Sequence, residues 1–224
     1  MITRAIAERI DNALAKKKAV TIMGPRQVGK STLADSIIPK DERVLEINGD
    51  NTDVQTMFVD VDEAKMKILI GNNSFLFVDE AQKIQNVGNM LKIVADKLKD
   101  VKIIVTGSSA FKLAEAVNES LTGRKREFKL YPLSFKEMAD YAGVLDESRM
   151  MEHRLIYGYY PEVVTSPGDE KEVIKELIDS YLYKDVLEEN NIAKPDKLVK
   201  LVQALAFQIG STVSATELAG LVGI

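Results

Sequence analysis

The chain of 224 residues exceeds one average domain without clearly making two, so one large and one small domain are expected, and 46% hydrophobic with 29% charged residues excludes a disordered chain. A net charge of −4 gives no overall basic field for nucleic acid, and the absence of cysteine excludes a disulfide framework, a thiolate metal site and a cysteine nucleophile. No apolar run approaches the ~20 residues of a membrane span and residues 1–14 lack a signal-peptide core, so a cytoplasmic location is expected.

Residues 3–17 read as an amphipathic helix with Ile6, Ile10 and Leu14 on one face. Lys16, Lys17 and Lys18 close it; lysines suit a helix C-terminus, and the run reads as a solvated face rather than a nucleic-acid patch. An apolar strand over 19–23 then enters Gly24-Pro25-Arg26-Gln27-Val28-Gly29-Lys30-Ser31-Thr32, and Leu33, Ala34, Ile37 and Ile38 follow at helical spacing. The pattern G-x-x-x-x-G-K-[ST] between strand and helix is that of a phosphate-binding loop. Gly24 and Gly29 let the backbone curl into a nest of inward N–H groups, and the helix turns its positive end toward the same oxygens. Lys30 adds a mobile cation for β- and γ-phosphates, and the Ser31 hydroxyl is a ligand for Mg²⁺.

A second strand is expected over 44–47, with Asn48, Gly49, Asp50 and Asn51 as loop residues beyond it. Asp60-Val61-Asp62-Glu63 starts a helix through Ile70, closed by Gly71-Asn72-Asn73. Residues 74–78 form a continuous apolar strand that runs directly into Asp79-Glu80, and Val87, Leu91, Val94 and Leu98 mark the helix after it. A fourth buried strand over 101–105 leads to Thr106, Gly107, Ser108 and Ser109, and Phe111, Ala114, Val117 and Leu121 mark the next helix. A fifth strand over 128–131 stops at Pro132.

This alternation predicts an α/β fold, a P-loop core over residues 1–131 with a parallel five-stranded sheet covered on both faces. Ligands in such sheets sit beyond the carboxyl ends of the strands, where the phosphate loop, Asp79-Glu80 and Thr106-Gly107-Ser108 all fall. Residues 132–210 are expected to be an all-helical lid. Ser134 caps a helix holding Phe135, Met138 and Tyr141, a second helix spans 147–157, and Gly158-Tyr159-Tyr160-Pro161 is a break. Ile174, Leu177, Ile178, Tyr181 and Leu182, then Leu198, Leu201, Val202, Leu205 and Ile209, keep helical spacing. Residues 211–224 hold a turn and a short helix opened by Ser214, read as the start of a helix-turn-helix cut off before its second helix.

Asp79 is placed to hold Mg²⁺, and Glu80, leaving the strand in another direction, to orient and polarise an attacking water. The plain alternative is an acidic pair that caps the following helix. Thr106 and Ser108, on a strand expected between those of the loop and of Asp79, are candidates to touch the γ-phosphate and the water; a turn satisfied by Ser and Thr is the alternative. Arg124, after the glycine that ends its helix, is the candidate to neutralise developing charge from a neighbouring subunit, against a solvated basic helix end. His153 reads as structural, and Tyr157, Tyr159 and Tyr160 as packing rather than a base-stacking platform.

The stretches GPRQVGKST (24–32), FLFVDEAQK (75–83), VTGSSA (105–110), LTGRKREFKLYPLSF (121–135), GYYPEVV (158–164) and YLYKDV (181–186) resemble a large prokaryotic family of AAA+-like ATPases with a C-terminal domain of unknown function. The resemblance implies ATP rather than GTP, and no N-K-x-D guanine signature argues otherwise. By position it implies Lys30 and Ser31 as phosphate and Mg²⁺ ligands, Asp79 and Glu80 as metal and water residues, and Arg124 as an arginine acting across a subunit boundary in a homo-oligomer. Gln82 falls where the family usually has a glutamine, with no role evident. The break reads Gly-Tyr-Tyr-Pro where a second glycine is usual. Family members continue through a winged helix and a nuclease-like region, which leaves DNA or protein partners to that C-terminal part. The expected function is Mg²⁺-dependent ATP hydrolysis coupled to motion between core and lid, with a nucleotide-gated interaction or DNA-binding switch as the alternative. Phosphotransfer to a small substrate is weaker, because the acid pair suits water activation and no acceptor motif is present.

Overall fold

Successive side chains on a strand point to opposite faces of its sheet, so a strand covered on both sides needs apolar residues at every position. Three segments come nearest to that demand, apolar over most of their length: β1 (Ala19–Met23), β3 (Phe75–Asp79) and β4 (Lys102–Gly107). A computed structural model, describing residues 1–108, 120–180 and 195–223, places them in the interior of one five-stranded sheet. Its order is β2-β3-β4-β1-β5, with β2 (Val44–Asn48) and β5 (Lys125–Lys129) at the edges and every pairing parallel. The protein is therefore α/β, and β4 does lie between the strand of the loop and the strand of Asp79.

The alternation sorts two cores. Phe75 and Phe77 join Val20, Ile22 and Ile104 beneath α1 (Ala7–Ala15) and α2 (Lys30–Ile37). Leu76 and Val78 join Met23, Ile103 and Val105 on the other face, which α4 (Glu63–Ile70) and α5 (Val87–Lys97) cover with Met66, Ile70, Met90, Leu91 and Val94. Each such side chain contributes about 1.5–3 kcal/mol by burial.

The edge strand is where the sequence expectation moves. β5 spans Lys125–Lys129 rather than 128–131: only Phe128 is buried in it, and Arg126, Glu127 and Lys129 face water, so an apolar-run criterion finds only its end. A short helix, α3 (Thr52–Met57), follows the loop after β2, where none was expected. The helix expected over 147–157 is two, α7 (Val144–Arg149) and α8 (Met151–Tyr157), meeting at Met150 after α6 (Phe135–Ala142). α9 (Pro161–Thr165) then starts on Pro161, whose fixed φ suits a first helical turn. The expected positions Phe111, Ala114, Val117, Tyr181 and Leu182 lie outside the described residues.

The chain falls into two compact units, Met1–Pro167 and Gly168–Ile224. The second contains α10 (Glu170–Leu177), α11 (Pro195–Ala206) and α12 (Ala215–Val222), and the Ser214 side chain accepts from the Glu217 N–H at the start of α12. Among the described residues no helix is long and apolar enough to cross a membrane.

In the first unit Arg154 Nε donates to Glu147 Oε1 at 3.1 Å, joining α7 to α8 as a pair whose side chains are 8% and 1% exposed. Removing one partner strands the other charge inside, so Arg154→Met should lose about 3–5 kcal/mol in denaturant unfolding. Glu147→Leu combined with Arg154→Met should recover most of that loss in the same measurement.

Candidate active site

The phosphate loop is shaped by a close backbone approach at Gly24 and by left-handed backbone around Val28. Leu130 N donates to Met23 O at 2.7 Å as the chain leaves β5, and Gly24 N donates to Gly107 O at 3.3 Å. A Cβ on Gly24 would fall 2.3 Å from the Leu130 carbonyl oxygen, so close approach, and not a left-handed backbone, requires glycine there. Gly29 does adopt the left-handed conformation, at φ 91°, as does Gln27 at 57°. The two bracket Val28, whose fully buried side chain pins the loop into the core. Lys30 begins α2; it is 5% exposed, and its ammonium folds back to donate to Pro25 O at 2.9 Å.

Asp79, at the tip of β3, gathers donors from three directions. Ser31 Oγ donates to Oδ2 at 2.7 Å, while Thr106 Oγ1 and, at 3.0 Å, the Glu80 amide donate to Oδ1. Thr106 is fully buried on β4. A hydroxyl beside a carboxylate is a pair of hard oxygen donors of the kind Mg²⁺ takes, with phosphate and water oxygens completing its shell. Among the described residues no group of three or more acidic, histidine or cysteine side chains could hold a metal without such help. The local field is negative. Asp35, one turn along α2 from Ser31, has its carboxyl raised above the ordinary range by partial burial and then by the charge of Asp79.

Glu80 leaves the strand with φ 46° and ψ 43°, a left-handed turn that swings its side chain away from that of Asp79. Gly49 makes room for it: a Cβ there would lie 2.3 Å from Glu80 O, and Gly49 N donates to Asp79 O at 2.9 Å. The Glu80 carboxylate accepts from Gln82 Nε2 at 2.5 Å and from Ser108 Oγ at 3.3 Å. Lys30, Ser31, Asp79, Glu80, Thr106 and Ser108 thus line one end of the sheet. Arg124 does not join them: its carbonyl accepts from Ala19 N at the opposite end of β1, and its Nε pairs with Asp96 Oδ1 at 2.6 Å.

The sequence reading missed Arg4 and Glu137. Arg4 Nη1 donates to Val28 O inside the phosphate loop at 3.0 Å, Nη2 to Tyr131 O at 2.5 Å, and Nε to Glu137 Oε1 at 3.1 Å. Ala5 N donates to the same Glu137 oxygen at 2.8 Å, and Ser134 N to the other at 2.8 Å. The Ser134–Glu137 capping box is legible in the sequence, but its long-range partner is not. Beside this clamp, a cavity of about 220 Å³ opens against Gly29 and Thr32, with Ile2, Leu133, Tyr141 and Pro161 in its walls.

Residues 16–139 match the sequence model of a family described as an AAA domain, and residues 148–224 that of a domain of unknown function. An uncharacterized protein of Methanocaldococcus jannaschii is 25% identical over 97% of this chain and 53% of its own length. An uncharacterized protein of Haemophilus influenzae is 28% identical over 64% of this chain and 37% of its own length. The chain therefore spans about half, or less, of the curated relatives it matches. Among solved structures, the Walker-type ATPase of Pyrococcus abyssi superposes with a TM-score of 0.58 over all of this chain and 88% of the other, at 16% identity, a likeness of fold.

Burial opposes ionisation of Glu137, but the Ala5 and Ser134 amides and Arg4 outweigh it and hold the carboxyl below its ordinary 4.5. A depressed carboxyl stabilises the fold above its unfolded pKa and loses that contribution as pH falls through the folded value. Tm should therefore drop as pH falls below about 4.5, and Glu137→Gln should flatten that part of a Tm profile measured from about pH 3 to 7.

Proposed function

The chain belongs to this AAA-domain family of P-loop ATPases, and from that membership and the site geometry we propose that it is a Mg²⁺-dependent enzyme that hydrolyses ATP to ADP and phosphate. The observation that carries the proposal is the 2.7 Å contact between Ser31 Oγ and Asp79 Oδ2, made beside a buried Lys30 and one residue from Glu80.

The loop amides of residues 27–32 receive the phosphate oxygens, and Lys30, freed from the Pro25 carbonyl, neutralises charge on the β- and γ-phosphates. Ser31 and Asp79 hold Mg²⁺, which supplies charge neutralisation on the same oxygens. Glu80 orients a water and takes its proton as the water oxygen bonds to the γ-phosphorus and the bond to the bridging oxygen breaks. Thr106, donating to Asp79, keeps that carboxylate turned toward Ser31. The cavity beside Gly29 and Thr32 suits the adenine base, because its walls are mainly apolar and it abuts the loop. The clamp from Arg4 to Val28 and Glu137 ties loop to α6, and so supports coupling of nucleotide state to the helical segment. Arg124 is remote from the site of its own chain, so any part it takes in hydrolysis is toward the nucleotide of a second copy; the alternative is a solvated helix end paired with Asp96. DNA or protein is the partner class proposed for the C-terminal region.

Glu80→Gln should retain ATP affinity and lose about 10²–10⁴ in the rate of phosphate release, whereas Lys30→Ala should lose affinity itself. Wild-type release never above background would overturn the enzyme and leave a nucleotide-gated switch. Turnover per chain should rise with protein concentration, and Arg124→Ala should lose that rise while still binding nucleotide. The Arg124–Asp96 pair is partly exposed, so its loss should change stability by about 1 kcal/mol or less. Concentration-independent turnover would remove Arg124 from the reaction.

A further inference from the structure

Gln82 has no part in the mechanism above, yet its amide is committed at one end and unmet at the other. Nε2 donates to Glu80 Oε2 at 2.5 Å and to Ser108 Oγ at 2.8 Å, and Ser108 Oγ donates to the same Glu80 oxygen at 3.3 Å. A carboxylate only accepts, so Glu80 fixes which end of the amide faces it. The other end, Oε1, is buried with no hydrogen-bond partner among the described residues. An interior acceptor left without a donor is a standing cost to the fold, and such groups are rare enough to call for an explanation. The backbone reinforces the point, because Glu80 is held in a left-handed turn that Gly49 must be side-chain-free to admit.

We propose that Gln82 is a catalytic residue of the hydrolysis, its Oε1 accepting one O–H of the attacking water while Glu80 accepts the other. The assignment rests on the ATPase reading. One planar amide serves both needs: Nε2, with Ser108, turns the Glu80 carboxylate toward the water, and Oε1 fixes the direction of the water's second O–H. In the step itself the water oxygen bonds to the γ-phosphorus as the bond to the bridging oxygen breaks, and that electron pair leaves with ADP. One water proton passes to Glu80. The other stays on the new phosphate oxygen, hydrogen-bonded to Gln82. Glutamine orients water in this way in other phosphoryl-transfer sites, where the amide is neither acid nor base. Ser108 is then a positioning residue for Glu80 rather than a contact to the γ-phosphate.

The test uses the full chain with Gln82→Leu, which keeps the volume and removes both ends of the amide, and Gln82→Glu, which keeps the acceptor and removes the donor. Phosphate release, binding of a fluorescent ATP analogue and the kcat–pH profile are measured for each. Gln82→Leu should lower kcat about 10²-fold with nucleotide affinity unchanged. Gln82→Glu places a second carboxylate beside Glu80, and like charge raises a carboxyl pKa, so the acid limb of its kcat profile should move to higher pH. A residue that merely packs would leave the kcat of Gln82→Leu near that of the wild type. Unchanged or faster turnover in Gln82→Leu overturns the assignment while the ATPase reading stands. No turnover by the wild type overturns both.

Discussion

Ser31 and Asp79 reach one another across a strand to which neither belongs, and the site depends on that span. Neighbouring strands lie about 4.8 Å apart, so the tips of β1 and β3, with β4 between them, are separated by roughly 10 Å. The loop after β1 and the first turn of α2 cross that distance, and the hydroxyl of Ser31 closes it. The intervening strand fills the space beneath with Thr106, whose hydroxyl satisfies the second oxygen of Asp79. A sheet with β1 and β3 adjacent would leave no room for that support, and one with two strands between them would put the carboxylate out of reach. Strand order is thus part of the chemistry.

Around this span the backbone is packed to its limit. Gly24 and Gly49 are each side-chain-free because a carbonyl passes 2.3 Å from where a Cβ would stand, Leu130 O in one case and Glu80 O in the other. Both glycines lie just beyond the carboxyl end of a strand, where chain from a neighbouring element crosses. Left-handed conformations at Gln27 and Glu80 add local strain, which the buried Val28 and the hydrogen bonds around Glu80 hold in place.

How much of this was legible in the sequence follows from the range of each interaction. The interior strands declare themselves, because burial on both faces allows little but apolar residues between Ala19 and Met23 or Phe75 and Val78. The phosphate loop does so through local spacing, and with it the placement of Lys30, Ser31 and Asp79 at one end of the sheet. The edge strand β5 is legible only at its end, since Lys125, Arg126 and Glu127 look like a loop until β1 supplies their backbone partners. The partners of Gln82 and Arg4 were not legible at all. Gln82 meets a serine 26 positions away and Arg4 a glutamate 133 positions away, and no periodicity encodes such meetings. At Gly24 the local spacing marks the glycine, while the crowding by Leu130 O that requires it comes from a residue more than a hundred positions away.

The fastening of Val28 by Arg4 also sets an order of events during biosynthesis. Residues 24–32 emerge from the ribosome early, but the guanidinium that steadies their carbonyl is itself neutralised by Glu137, which is translated more than a hundred residues later. Contacts of such high sequence separation form late in folding. A nascent chain holding the whole loop but not yet α6 carries a half-assembled clamp, so the braced shape of the loop is a property of the finished first unit and not of the motif that announces it.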